Sequence, residues 1–322
     1  MTRVLVTGAA GFIGSHLVEA LLRRGDHVVG IDNFDPFYPR ETKERNLSVA
    51  LENERFTFRE LDILDVDGLT ECLAPEDVVV HLAAKAGVRP SLENPTAYAK
   101  TNVSGTMAVL EAAHRAGSTR FVFGSSSSIY GDDTPAPFRE DAVAVRPVSP
   151  YAATKRGAEL LLESVAAIWQ LRCAALRFFT VIGPRQRPDL AIHKFTRLMV
   201  DGQPLTLFGD GTQSRDYTYY SDIIEGTLAG IDWTAQAPVG VEYFNLGGAD
   251  PVPLARLVET IAAALNMEPT VEWQPMQPGD VQHTFADVTK SERILGYRPA
   301  IALGEGVEAF VNWYRDIHEH QF

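Results

Sequence analysis

Tyr151 and Lys155 stand four residues apart, directly behind Ser149-Pro150. Serine suits an N-cap and proline the first helical position, so this segment is predicted to open a helix. The four-residue spacing puts both side chains on one face of it. A phenol is a poor base, with an ordinary pKa of about 10. A neighbouring ammonium group favours the phenolate, and such a tyrosine can take a proton from a substrate hydroxyl near neutral pH. Tyr-x-x-x-Lys also arises by chance on helix surfaces, so the pair needs support from elsewhere. Upstream, the strand-like run Arg120–Phe123 ends in Gly124-Ser125-Ser126-Ser127-Ser128-Ile129-Tyr130-Gly131. Ligands of open α/β sheets sit beyond the carboxyl ends of the strands, where four uncharged hydroxyls are suited to orienting a substrate hydroxyl.

A third group opens the chain. The run Val4–Thr7 leads into Gly8-Ala9-Ala10-Gly11-Phe12-Ile13-Gly14 and then a helical pattern. Glycines there permit a tight turn and let backbone amides approach a pyrophosphate, and the helix amino terminus offers unpaired N–H groups and the positive end of its dipole. Gly-x-x-Gly-x-x-Gly is one residue wider than the usual dinucleotide fingerprint, and glycine turns alone are common punctuation. The next strand-like run, His27–Ile31, ends in Asp32. A carboxylate at that place accepts hydrogen bonds from both adenosine ribose hydroxyls and repels a 2′-phosphate, which favours NAD over NADP. Asp62, after the run Phe56–Glu60, is a candidate for the adenine amine or a solvated, capping acid.

These groups need a scaffold that delivers several strand ends to one place. Further short runs at Asp77–Leu82 and Cys173–Phe178 alternate with amphipathic stretches at Phe12–Arg24, Pro95–Ala116 and Pro150–Trp169. Strands alternating with helices predict βαβ units and a doubly wound parallel sheet. Runs apolar on both sides, such as Val78-Val79-Val80, fit strands covered on both faces. Past Phe178 the rhythm breaks around Pro184, Pro188, Pro204, Gly209 and Gly211. Helices are expected at about Ser221–Gly230, Pro253–Asn266 and Gly304–His318, with a strand at Val241–Leu246 returning to the large sheet. The expected division is therefore 1–178 with about 217–248 as the dinucleotide domain, and 179–216 with 249–322 as a smaller α/β substrate domain.

With 322 residues, 45% of them apolar and 22% charged, the chain is globular rather than disordered or collagenous. Its formal net charge of -13 argues against nucleic acid and anionic membrane surfaces as partners, while leaving room for a small anion in a local positive pocket. Two cysteines, Cys72 and Cys173, are too few for a disulfide framework. No apolar run is long enough to span a bilayer, and a soluble cytoplasmic protein is expected. No metal site is expected.

Taken together, the glycine turn, the serine cluster and the Tyr–Lys helix resemble the extended short-chain dehydrogenase/reductases, and among them the nucleotide-sugar 4-epimerases. The resemblance runs over essentially the full length. It is carried by Thr7–Leu17, by His81-Leu82-Ala83-Ala84, and by Ser126 with Tyr151 and Lys155. Similarity to UDP-glucuronate 4-epimerases is carried by Asp32–Tyr38, Ala86-Gly87-Val88-Arg89 and Arg177–Asp189. The resemblance implies a Rossmann-like fold with tightly bound NAD. It implies Ser126, Tyr151 and Lys155 as catalytic residues, and a contact surface for NAD made by Gly8, Gly11, Phe12, Ile13, Gly14, Asp32, Asn33, Asp62, Ile63, Leu82, Ala83, Ala84, Lys85 and Asn102, with Tyr151 and Lys155. For the UDP-sugar it implies Arg89, Ser127, Ser128, Thr180, Arg185, His193, Thr206, Gln213, Arg215 and Asp280. Within that set Arg215 would neutralise the diphosphate, Asp280 would take the uridine ribose, and Leu205–Phe208 would offer backbone groups to uracil.

Related dehydratases and decarboxylases carry a Glu where this chain has Ser128. A missing carboxylate favours epimerisation: oxidation at carbon 4 to a keto sugar with transient NADH, rotation, and reduction from the other face. Arg185, with Ser127 or Ser128, is expected to hold the carboxylate of UDP-glucuronate out of alignment for decarboxylation. The competing readings are an epimerase of UDP-glucose or UDP-N-acetylglucosamine, a UDP-sugar decarboxylase or dehydratase, and, remotely, a non-catalytic NAD-binding regulator. Apolar positions beyond one core face, among them Val109, Leu110, Leu161 and Leu162, and the helix pairing of relatives predict a homodimer.

Overall fold

The computed structural model describes residues 1–142, 146–275 and 282–318. Its strands are β1 (Arg3–Thr7), β2 (His27–Asp32), β3 (Phe56–Glu60), β4 (Val78–His81), β5 (Arg120–Ser126), β6 (Arg172–Phe178), β7 (Thr180–Ile182), β8 (Leu205–Phe208), β9 (Ser214–Tyr219), β10 (Gly240–Leu246), β11 (Pro251–Pro253) and β12 (Val271–Gln274). Seven form one sheet in the order β3-β2-β1-β4-β5-β6-β10, and all its pairs are parallel. Strand β10, more than 60 residues after β6, pairs with it from Gly240↔Arg172 to Leu246↔Phe178, so the chain does return to the large sheet.

Strand alternation decides which core each residue enters. Val4 and Val6 join Val78, Val80, Val122, Leu176 and Phe244 on one face, covered by helices Phe12–Arg24, Arg40–Leu51 and Tyr220–Trp233. Leu5 joins Val79, Phe121, Phe123, Cys173 and Ala175 on the other, covered by helices Gly105–Ala116 and Pro150–Ala166. The pyramidal problem of where to put seven strands' side chains is thus solved twice, once per face, which is why these strands read as continuous apolar runs. A separate core holds Ile182, Phe195, Leu205, Leu257, Phe310 and Tyr314, around strands β7, β8, β9, β11 and β12 and helices Ala191–Val200, Leu254–Leu265 and Leu303–Ile317.

Two expectations change. The stretch Pro95–Ala116 is not one regular helix: an α turn, Pro95–Tyr98, passes into a π-helical segment, Ala99–Ser104, before α-helix resumes at Gly105. The wider turn falls where Lys100 and Thr101 reach the central cleft, a common place for such a defect. And Val109, Leu110 and Leu162 are 1%, 1% and 0% exposed, spent in the chain's own core, so three of the four residues offered for pairing do not face outward.

Candidate active site

Strand order reverses direction between β1 and β4, and beyond the carboxyl ends of the strands lies a cleft of about 700 Å³. It receives the glycine turn from β1, Asp32 from β2, Asp62 and Ile63 after β3, Leu82–Gly87 after β4, Gly124–Ser128 from β5, and Phe178–Val181 after β6.

The glycine turn is shaped by contacts that exclude a side chain. Gly8 has φ +72°, and a Cβ there would lie 2.8 Å from the Ala83 nitrogen; one on Gly14 would lie 2.0 Å from the Gly8 oxygen. The helix that follows has Gly11 as N-cap and no side chain capping it, so its first N–H groups, beside the cavity-lining Phe12 and Ile13, remain for a ligand. Asp32 accepts from the Phe34 amide at 2.9 Å and the Ala10 amide at 3.1 Å, and each carboxylate oxygen keeps a lone pair for a ribose hydroxyl. These features fit a dinucleotide pyrophosphate and ribose. Lys43 lies 3.7 Å from Asp32, a positive charge beside the acid that the spacing of motifs did not reveal. Asn33 donates to Asp62 at 3.0 Å, and both line the cleft. Asn102 lies behind it: its side chain accepts from the Lys85 amide at 2.8 Å and donates to the Lys85 carbonyl at 2.9 Å, fixing the loop after β4.

That loop is also held by His81, 1% exposed. Thr106 donates to the Asn102 carbonyl at 2.6 Å, so its oxygen accepts from His81 Nε2 at 3.1 Å. Thr7 accepts from the Ala83 amide at 3.2 Å and donates to His81 Nδ1 at 2.7 Å. This arrangement needs a neutral imidazole, and burial pushes its pKa down to about 3.

Ser149 caps the helix Pro150–Ala166 through the Ala152 amide at 3.2 Å, and the first two turns carry Tyr151 and Lys155 into the cleft beside Ser126, Ser127 and Ser128. Burial raises the Tyr151 phenol above its ordinary value, while a hydrogen bond with Ser126 and the charge of Arg187 oppose this. Lys155 donates to the Gly124 carbonyl at 2.7 Å and lies 4.9 Å over the Phe123 ring. Burial lowers its pKa to about 8, against the field of Glu159. The serine, phenol and ammonium therefore share one pocket with the glycine turn, an arrangement suited to moving a proton at an alcohol next to a bound nicotinamide.

The basic residue past β7 is not where it was expected. Arg185 has φ +65° and turns away from the cleft, donating to Glu19 at 2.6 Å and to Ser15 at 3.3 Å on helix Phe12–Arg24. Its fork is met by an acid 166 residues away, which the spacing of the loop could not show. Arg187 lines the cleft instead, and it was the one missed. Its signal was present in Arg185-Gln186-Arg187, but the left-handed backbone at Arg185, φ +65°, sends the two arginines to different places, which their spacing does not show. His193 is likewise corrected: it is buried against Phe310, Trp313 and Tyr314, bonds the Gln186 carbonyl at 2.7 Å, and serves the smaller core.

Thr180 lines the cleft. Arg89, Thr206, Gln213 and Arg215 do not line it; they gather around β8 and β9. Arg89 lies 4.7 Å over the Phe208 ring, Gln213 donates to the Phe208 carbonyl, and Arg215 donates to the carbonyls of Ser214 at 3.0 Å and Gln282 at 3.3 Å. Asp280 lies outside the described residues.

Residues 4–247 match the model of the NAD dependent epimerase/dehydratase family, and the chain belongs to that family. Among its relatives, a UDP-glucuronate 4-epimerase of Thermodesulfobacterium geofontis is 39% identical over 315 residues, 97% of this chain and 96% of that one. A crystal structure of UDP-glucuronic acid 4-epimerase from Bacillus cereus, in complex with UDP-glucuronic acid and NAD, is 38% identical and superposes with a TM-score of 0.92, over 98% of this chain and all of that one. The dTDP-glucose 4,6-dehydratase DesIV of Streptomyces venezuelae, with NAD bound, is 30% identical with a TM-score of 0.90 over 99% and 98% of the two chains. The scaffold is thus shared by epimerases and dehydratases, and the residues of the cleft must decide between them.

Proposed function

We propose that this chain is an NAD-dependent UDP-sugar 4-epimerase that converts UDP-glucuronate to UDP-galacturonate. The carrying observation is the composition of one cleft: Ser126, Tyr151 and Lys155 together, no carboxylate in the serine cluster beside them, and an arginine, Arg187, that lines the same cleft and whose charge acts on Tyr151. NAD held by the glycine turn and Asp32 supplies the hydride acceptor and donor, so no second substrate is consumed. Tyr151 takes the proton from the carbon-4 hydroxyl and later returns it, Ser126 shares a hydrogen bond with that oxygen, and the Lys155 ammonium favours the phenolate against the burial that opposes it. Ser127, Ser128 and Thr180 offer neutral donors to the sugar. The carboxylate-holding role falls to Arg187, in place of Arg185. Arg215, Gln213, Thr206 and Arg89 on the smaller part, with Asp280, hold the nucleotide, leaving the sugar free to turn between two orientations; binding energy is best drawn from groups that do not react.

The test is incubation of the purified protein with UDP-glucuronate and UDP-glucose separately, with products resolved by NMR and mass spectrometry. Expected is a 4-epimer of UDP-glucuronate at unchanged mass. Loss of carbon dioxide or water would assign the decarboxylase or dehydratase reading, and turnover of UDP-glucose alone would assign a neutral-sugar epimerase. A homodimer in a cytoplasmic setting completes the reading. No described helix is long and apolar enough to cross a membrane, and outward apolar side chains at Leu160 on helix Pro150–Ala166 and at Ile168 just past its end, 49% and 77% exposed, support pairing on that side. Light scattering at micromolar concentration checks the pairing.

A further inference from the structure

Arg187 is not waiting with an open fork. Its Nε donates to one oxygen of Asp189 at 2.9 Å and its Nη2 to the other at 2.7 Å. This two-pronged pairing is the one a guanidinium makes with any carboxylate, including one on a ligand. Nη2 also donates to the Ala86 carbonyl at 3.3 Å, which ties the guanidinium to the loop after β4 whatever its acidic partner. The two partners differ in their surroundings. The Arg187 side chain is 17% exposed and lines the cleft, while that of Asp189 is 30% exposed and does not line it. If the pair opens, the aspartate has water within reach and the arginine has the cleft.

We propose that Asp189 is an internal counter-ion, displaced from Arg187 by the carboxylate of an acidic sugar, and that this competition limits the preference of the site for acidic over neutral UDP-sugars. The proposal rests on the reading that UDP-glucuronate is the substrate. A neutral sugar offers only a hydroxymethyl group at the same carbon. That group cannot replace a carboxylate on a guanidinium, so the pair stays closed and the neutral sugar is bound without the exchange. An acidic sugar gains the arginine but must release Asp189 into water and then lie near its negative charge. Asp189 therefore weakens acidic-sugar binding and leaves neutral-sugar binding alone, and specificity is the difference between the two.

The experiment uses the NAD-loaded protein in a Tyr151→Phe background, so that ligand is bound without turnover. Affinities for UDP-glucuronate and UDP-glucose are measured by calorimetry with Asp189 intact and with Asp189→Asn and Asp189→Ala. Removing the charge is expected to tighten UDP-glucuronate about fivefold, the scale of a partly exposed ion pair, with UDP-glucose changed by less than about twofold. Unchanged or weaker UDP-glucuronate binding in both variants, with UDP-glucose intact, overturns the proposal and makes Asp189 a support for Arg187. Parallel loss of both ligands overturns it too, as damage to the loop. Formation of a 4-epimer from UDP-glucose and none from UDP-glucuronate by the protein with Tyr151 intact would instead remove the acidic-substrate reading, and the proposal with it.

Discussion

Replacing Lys155 by methionine should stabilise the protein at neutral pH while abolishing turnover. The lysine is a buried residue of helix Pro150–Ala166, and its pKa falls from 10.5 to about 8. That displacement corresponds to a charge-burial cost of about 3 kcal/mol at pH values below the folded pKa. Part of it is offset. The ammonium donates to the Gly124 carbonyl at 2.7 Å and lies over the Phe123 ring. Leaving that carbonyl without a donor costs about 1 kcal/mol, and losing the ring contact about 1 kcal/mol more. Methionine, of similar length and apolar, should therefore be more stable by about 1 kcal/mol near neutral pH in the absence of cofactor. The sign of the pH dependence follows from the direction of the shift. Because the folded pKa is the lower one, the unfolded chain binds more protons between pH 8 and 10.5, and folding gains stability as pH rises through that window. The advantage of methionine should thus shrink and reverse there, moving by about 3 kcal/mol in all. Urea unfolding of cofactor-free protein and variant, in steps from neutral pH to above pH 10, measures this directly. A variant less stable at neutral pH, or a difference flat across the window, would show that Lys155 does not carry a costly buried charge.

Other outcomes follow from particular contacts. Gly14→Ala forces a Cβ to within 2.0 Å of the Gly8 carbonyl, so the turn must move; the variant should lose co-purifying NAD and unfold at lower temperature, whereas Gly304→Ala, near the start of a helix with nothing within 4 Å, should leave NAD bound and stabilise by about 0.5 kcal/mol. His81, with its pKa lowered by burial, costs stability as pH falls below its unfolded value of 6.5; the loss should reach about 2 kcal/mol by pH 5, and His81→Asn should flatten that part of the urea-midpoint curve. Deuterium placed at carbon 4 of the substrate should be retained in the isolated epimer, as NMR would report, because the same hydride leaves and returns; its loss to water would exclude a bound oxidant.

Most of the sheet was legible because its strands obey one local rule. A residue in β1 faces one helical layer and its neighbour faces the other, so Val4, Leu5 and Val6 must all be apolar, and an apolar run bounded by turn residues is enough to mark it. The ends of such strands are then fixed in space by the sheet, which is why Asp32, Ser126 and the glycine turn could be placed at one cleft from order alone. Tyr151 and Lys155 followed from helix periodicity and a capped start. The π segment at Ala99–Ser104 left no such trace, since it depends on one extra residue in a turn and not on residue type.

Past β6 the rule changes, and so does what can be read. The direction of Arg185 is set by a left-handed residue after Gly183-Pro184 and by Glu19, which reaches the loop from another layer of the molecule. The direction of Arg187 is set by Asp189 two residues on and by the Ala86 carbonyl of the loop after β4. Two arginines separated by one residue therefore have opposite fates: one braces the helix that begins with the glycine turn, and the other faces Tyr151. A motif read as a string assigns the charge to either. Only the closing of long loops, which brings residue 19 to 185 and residue 86 to 187, divides the work between them: one guanidinium is spent on Glu19, and the other is held at the cleft by the Ala86 carbonyl and Asp189.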